Sequence, residues 1–76
     1  METAETKTIE VVVNGAAQMV PAGVTLGRLL EWLKIDASRV AVELNGQIVR
    51  KPDWQAAEVR TGARIEVVWF VGGGAK

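Results

Sequence analysis

The chain has 76 residues, no cysteine and no histidine, and its nine basic side chains balance nine acidic ones. A chain of this length forms one domain that buries only about 60% of its unfolded surface, so its stability margin is thin. The missing residues exclude disulfides, thiolate nucleophiles and the usual thiolate or imidazole metal sites, and they remove the commonest general base; zero net charge argues against a nucleic-acid or membrane-surface protein.

Residues 1–7 are polar and acidic, lack apolar periodicity and are expected to form a flexible N-terminal arm. They do not resemble a signal peptide. No apolar run is long enough to span a bilayer. A soluble cytoplasmic protein is the simplest reading, and the absence of cysteine agrees with that compartment.

A strand is predicted over 9–13, with Ile9, Val11 and Val13 on one face. Asn14-Gly15 is a strong signal for a type I′ hairpin, returning through a strand at 16–20 that Pro21-Ala22-Gly23 stops. Over 24–34, Leu26, Leu29, Leu30 and Leu33 fall at helical spacing, with Thr25 as N-cap. Gly27 weakens the first turn and is expected to let the helix approach the sheet closely. Val40, Val42 and Leu44 mark the inward face of a third strand, Asn45-Gly46 turns it, and 47–49 forms a short return strand. A single helical turn is expected over 53–57, a turn at Thr61-Gly62, and a final, strongly apolar strand over 64–71.

The order is hairpin, helix, hairpin, short turn and long last strand. If the first and last strands lie parallel and adjacent, one helix covers a mixed sheet of about five strands. That is an α+β fold, the ubiquitin-like β-grasp, occupying 8–71 and followed by a flexible tail over 72–76. The last strand is then central, as its near-continuous hydrophobicity suggests.

No catalytic constellation is evident. Glu43, Asp53, Glu58 and Glu66 read as solvated surface carboxylates, and Thr8, Thr25, Ser38 and Thr61 have no activating base. The glycines do not form a phosphate-binding loop. Trp32, Trp54 and Trp69 lie on separate elements without a basic stripe, so packing at the core rim is a better reading than base stacking. The tail remains. Gly72, Gly73 and Gly74 lack Cβ atoms, so this stretch can enter a narrow channel and extend roughly 10 Å past the strand. Such an end can deliver a carboxylate into another protein's active site; the plain alternative is an ordinary loose terminus.

The strings "VVVNG", "GVTLGRLLEWLKI" and "VAVELNGQIVRKPDWQAAEVRTGARIEVVWFVGGG" resemble the ThiS family, the sulfur carrier proteins of thiamine biosynthesis. The resemblance covers about 9–74. Its helix string is weakly diagnostic; "NGQIV", the Pro and Trp after it, and "TGARIEVV" with the closing glycines are more specific. It implies a carrier that is not itself an enzyme and binds no cofactor. A partner adenylyltransferase of the E1-like kind uses ATP to adenylate the terminal glycine, sulfur replaces one oxygen, and the thiocarboxylate passes to thiazole synthase. By position Gly74 carries the sulfur, while Gly72 and Gly73 thread the partner's active site. Ala75 and Lys76 depart from the pattern. Trimming by a peptidase, a cloning remnant, and loss of the carrier role are the three readings of them.

On the last strand Ile65, Val67 and Trp69 share one face, and Glu66, Val68 and Phe70 the other. If the helix covers the first set, Val68 and Phe70 are candidates for partner docking on the open face; cover by neighbouring side chains or by the arm is the competing view. The free carrier is expected to be a monomer. Alternatives are a related carrier for molybdopterin or cysteine synthesis, a ubiquitin-like binding module with an inactive tail, and a conjugating modifier joined through Gly74.

Overall fold

The computed structural model describes residues 7–70. Its elements in chain order are β1 (Thr8–Val13), β2 (Ala16–Pro21), α1 (Leu26–Trp32), a 3₁₀ turn (Ala37–Arg39), β3 (Val40–Leu44), β4 (Gln47–Val49), a second 3₁₀ turn (Lys51–Asp53) and β5 (Arg64–Trp69). The five strands form one sheet in the order β2-β1-β5-β3-β4. β5 runs parallel to β1 and antiparallel to β3. The expected β-grasp is therefore present, with the last strand at the sheet's centre. The arm expected over 1–7 lies outside the described residues except for Lys7, whose carbonyl accepts a hydrogen bond from the Ala22 N–H.

Both Asn-Gly pairs make the turns their chemistry favours. Asn14 and Gly15 have φ of 51° and 83°, Asn45 and Gly46 of 53° and 87°, the double positive φ of a type I′ hairpin. Each asparagine also reaches β5. The Asn14 amide accepts from the Val67 N–H at 2.7 Å and donates to the Val67 carbonyl at 3.2 Å. The Asn45 Oδ1 accepts from the Arg64 N–H at 2.9 Å.

α1 begins at the predicted cap, where Thr25 Oγ1 accepts from the Arg28 N–H. The two N–H groups before it, of Leu26 and Gly27, donate to the carbonyls of Ala57 and Trp54. The segment after the second 3₁₀ turn thus supplies acceptors that a helix N-terminus otherwise lacks. This changes the reading of Gly27, which faces Gln55 on that segment rather than the sheet. The helix is shorter than the 24–34 expected. The Lys34 and Ile35 N–H groups donate to the Glu31 and Leu30 carbonyls, and Lys34 takes a left-handed φ of 61°. Those paired bonds form a Schellman closure with lysine at the position that usually holds glycine.

The core lies between α1 and the sheet. Val11, Val20, Leu26, Leu29, Leu30, Val42, Val59 and Ile65 are fully buried in it. Among the described residues no polar or charged side chain is buried, and no helix is long and apolar enough to cross a membrane. Trp54 is also buried, and its indole N–H donates to the Val49 carbonyl at 2.8 Å. The turn expected at 53–57 starts earlier, at Lys51, because Pro52 fits the first turn of a helix and fixes φ there. Trp32 and Trp69 are largely exposed, so core packing describes Trp54 alone.

Candidate functional site

β5 leads toward the glycine tail, and its residues alternate as period two requires. Ile65 and Val67 are buried, whereas Val68 is 56% and Phe70 62% exposed. Trp69, expected on the covered face, is 49% exposed. β1 ends at Val13 opposite Ile65, so the end of β5 is flanked only by β3, where Trp69 pairs with Val40 and Val68 with Ala41. Val71, Gly72, Gly73, Gly74, Ala75 and Lys76 lie outside the described residues.

Three contacts fix β5 where it gives way to the tail. Asn14 grips Val67 by both of its backbone groups. The Phe70 N–H donates to the Arg39 carbonyl at 2.9 Å. Arg39 in turn closes the 3₁₀ turn that Asp36 caps, its Oδ1 accepting from both the amide and the hydroxyl of Ser38. Those hydrogen bonds hold the Asp36 carboxyl below the usual carboxylate range, with smaller help from the charges of Arg39 and Lys51.

The open face beside Phe70 is broader than the two residues read from β5. A shallow hollow of about 370 Å³ includes Ala41, Ile48, Pro52 and Phe70 in its lining, with Arg50 and Lys51 among its other members. Ile48 is 73% exposed. Sequence reasoning passed over it, although the Asn45-Gly46 turn sets the signal: the register pairs Val42 with Val49, which faces Ile48 outward. Glu43 and Glu66 sit directly opposite each other on β3 and β5, a like-charge pair that is unfavourable by itself. Apolar side chains, two adjacent carboxylates and the cations of Arg50 and Lys51 share this part of the molecule. Among the described residues no cluster of acidic side chains is placed to hold a metal ion. A larger hollow of about 520 Å³ lies beside α1, lined by Pro21, Val24, Arg28 and Trp32 among others, and does not touch β5.

A family model described as the ThiS family matches residues 4–74. The chain belongs to the ThiS family. The crystal structure of the thiamine biosynthesis protein ThiS from Geobacter metallireducens is 33% identical, with a TM-score of 0.78, covering 87% of this chain and all of that one. The solution structure of a thiamine biosynthesis protein from the same organism is 31% identical, with a TM-score of 0.71, covering 90% of this chain and 91% of the other. Two curated relatives are larger. The thiazole synthase of Paramagnetospirillum magneticum is 38% identical over 66 residues, and that of Magnetococcus marinus 39% over 61. The chain spans about a fifth of each of them, 20% and 19% respectively.

Proposed function

We propose that this chain is a sulfur carrier for the thiazole of thiamine, with Gly74 as the residue that bears the sulfur. The observation that carries the reading is where the family match stops: it ends at Gly74, past a strand gripped from both sides. Peptide-bond hydrolysis after Gly74 frees its carboxylate and releases Ala75-Lys76. A carboxylate is a poor electrophile. A partner adenylyltransferase joins it to the AMP portion of ATP and releases pyrophosphate, and a sulfur nucleophile then displaces AMP to leave a thiocarboxylate. The carrier supplies only the acyl group and a backbone narrow enough to enter the partner's site through Gly72 and Gly73.

Thiazole synthase is the proposed acceptor. Support comes from the two relatives of that name, in each of which a stretch akin to most of this chain forms part of a longer protein. It favours the thiamine pathway over a carrier for molybdopterin or cysteine synthesis. Docking is assigned to Val68 and Phe70 together with Ile48, their exposure giving a partner apolar area to cover.

Intact mass spectrometry of the protein from its native cell tests the reading. A chain ending at Gly74 with one oxygen exchanged for sulfur is expected. A chain that always keeps Ala75-Lys76 overturns it and moves the binding module with an inactive tail to first place.

A further inference from the structure

The two edges of the sheet differ in how they are protected. β4 is three residues long and runs into Arg50, Lys51 and Pro52. Short length, charge and proline all blunt an edge against pairing. β2 has six residues, Ala-Ala-Gln-Met-Val-Pro, and carries no charge. On its open face only Ala17 and Met19 precede Pro21, so the backbone is lightly screened.

The backbone groups on that edge follow from the register. The Val12 and Asn14 N–H groups donate toward β5, to the Ala63 and Ile65 carbonyls. The alternate residues Val11 and Val13 therefore face β2, opposite Gln18 and Ala16. By the same alternation, Ala17 and Met19 aim both N–H and C=O away from the sheet. Among the described residues this leaves two donors and two acceptors in a row, spaced for an antiparallel strand.

We propose that the β2 edge pairs with the β2 edge of a second copy of this chain, around a two-fold axis through Gln18. In that register Ala17 faces the partner copy's Met19, and Met19 its Ala17, so each pair exchanges two hydrogen bonds and all four donors are satisfied. Gln18 meets its own counterpart, and the two primary amides complement each other as donor and acceptor. No charge on β2 opposes the approach, and the chain as a whole has zero net charge. Two β4 edges would instead bring the Arg50-Lys51 runs of both copies together. The β2 pairing extends the sheet to ten strands and leaves both copies of β5, with Val68 and Phe70, uncovered. A single strand pair lies below the about 1,200 Å² of stable interfaces, so the dimer is weak and concentration-dependent. It replaces the expected monomer at high concentration and goes beyond the sulfur-carrier reading, on which it does not depend.

Sedimentation velocity of the full chain from low micromolar to millimolar concentration tests the pairing, with amide hydrogen exchange at both ends of the range. The expected result is a shift from monomer toward dimer, with exchange at Ala17 and Met19 slowing in step. Met19→Pro removes an edge N–H from each copy and holds the chain monomeric with an unchanged circular dichroism spectrum. Gln18→Lys and Gln18→Glu each place like charges on the axis and are monomeric alone, whereas their equimolar mixture dimerises. A monomer at all concentrations overturns the proposal. So does a dimer that persists in both Met19→Pro and Gln18→Lys, or exchange at Ala17 and Met19 that ignores concentration.

Discussion

Asn14 and Val67, 53 positions apart in the chain, form a closed pair of hydrogen bonds between one side-chain amide and one residue's backbone. β1 stops at Val13, so the amide acts as one more rung of the parallel ladder after the strand has turned away. The positive φ of Asn14 makes this possible, because it starts the hairpin while its side chain turns back to β5.

Asn14→Gly tests that rung without disturbing the turn, since glycine tolerates the same φ. The two lost bonds leave a part-buried N–H and C=O on Val67. Urea denaturation is expected to show a loss of about 1–3 kcal/mol. Equal stability would mean that water replaces the amide at no cost.

Lys34→Gly is expected to stabilise. Lys34 holds a left-handed φ of 61° at the close of α1, a conformation that costs a side chain with a Cβ roughly 1 kcal/mol and glycine nothing. A gain near that value in thermal or urea unfolding, with the bonds to Glu31 and Leu30 retained, is the expected outcome. No gain would show that the helix end relaxes around the lysine.

Phe70→Asp is expected to weaken binding to the proposed adenylating partner by about 30-fold or more, the scale of an interface hot spot, and to leave the circular dichroism spectrum unchanged because the ring is exposed. Ile48→Asp is expected to act in the same direction. Unchanged affinity in titration calorimetry for both variants would move docking off this face.

Acid is expected to loosen the 3₁₀ turn at Ala37–Arg39. The Ser38 hydroxyl and amide favour the charged form of Asp36, so its folded pKa lies below its unfolded one. Its contribution is complete above the unfolded value and is lost as pH falls through the folded one. The Ser38 amide shift in NMR is expected to titrate with a midpoint below the usual carboxylate range. The Phe70 amide, bonded to Arg39, is expected to follow it. A midpoint at the ordinary aspartate value would remove Ser38 as the cause.

Most of the frame was legible because local chemistry and global fold agree. Asn14-Gly15 and Asn45-Gly46 announced both hairpins, and the leucines of α1 marked its buried side. What stayed hidden depends on partners distant in sequence. Nothing near Leu26 and Gly27 says that Ala57 and Trp54 supply their acceptors, or that Gln55 lies beside Gly27. The exposure of Trp69 depends on where β1 stops. The helix end at Lys34 was hidden because lysine commonly extends a helix. At the candidate site Val68 and Phe70 followed from period two along β5, whereas Ile48 required the β3–β4 register.

The central position of β5 also has a mechanical consequence. A protein that draws the tail into a channel would pull along the axis of a strand paired with β3 over Ile65–Trp69 and with β1 at its start. Such a load shears its hydrogen bonds together, whereas an edge hairpin peels open one bond at a time. The Asn14 clamp on Val67 and the Arg39 hold on Phe70 lie nearest the pull. Such tension would therefore load the whole domain before it strips the strand away.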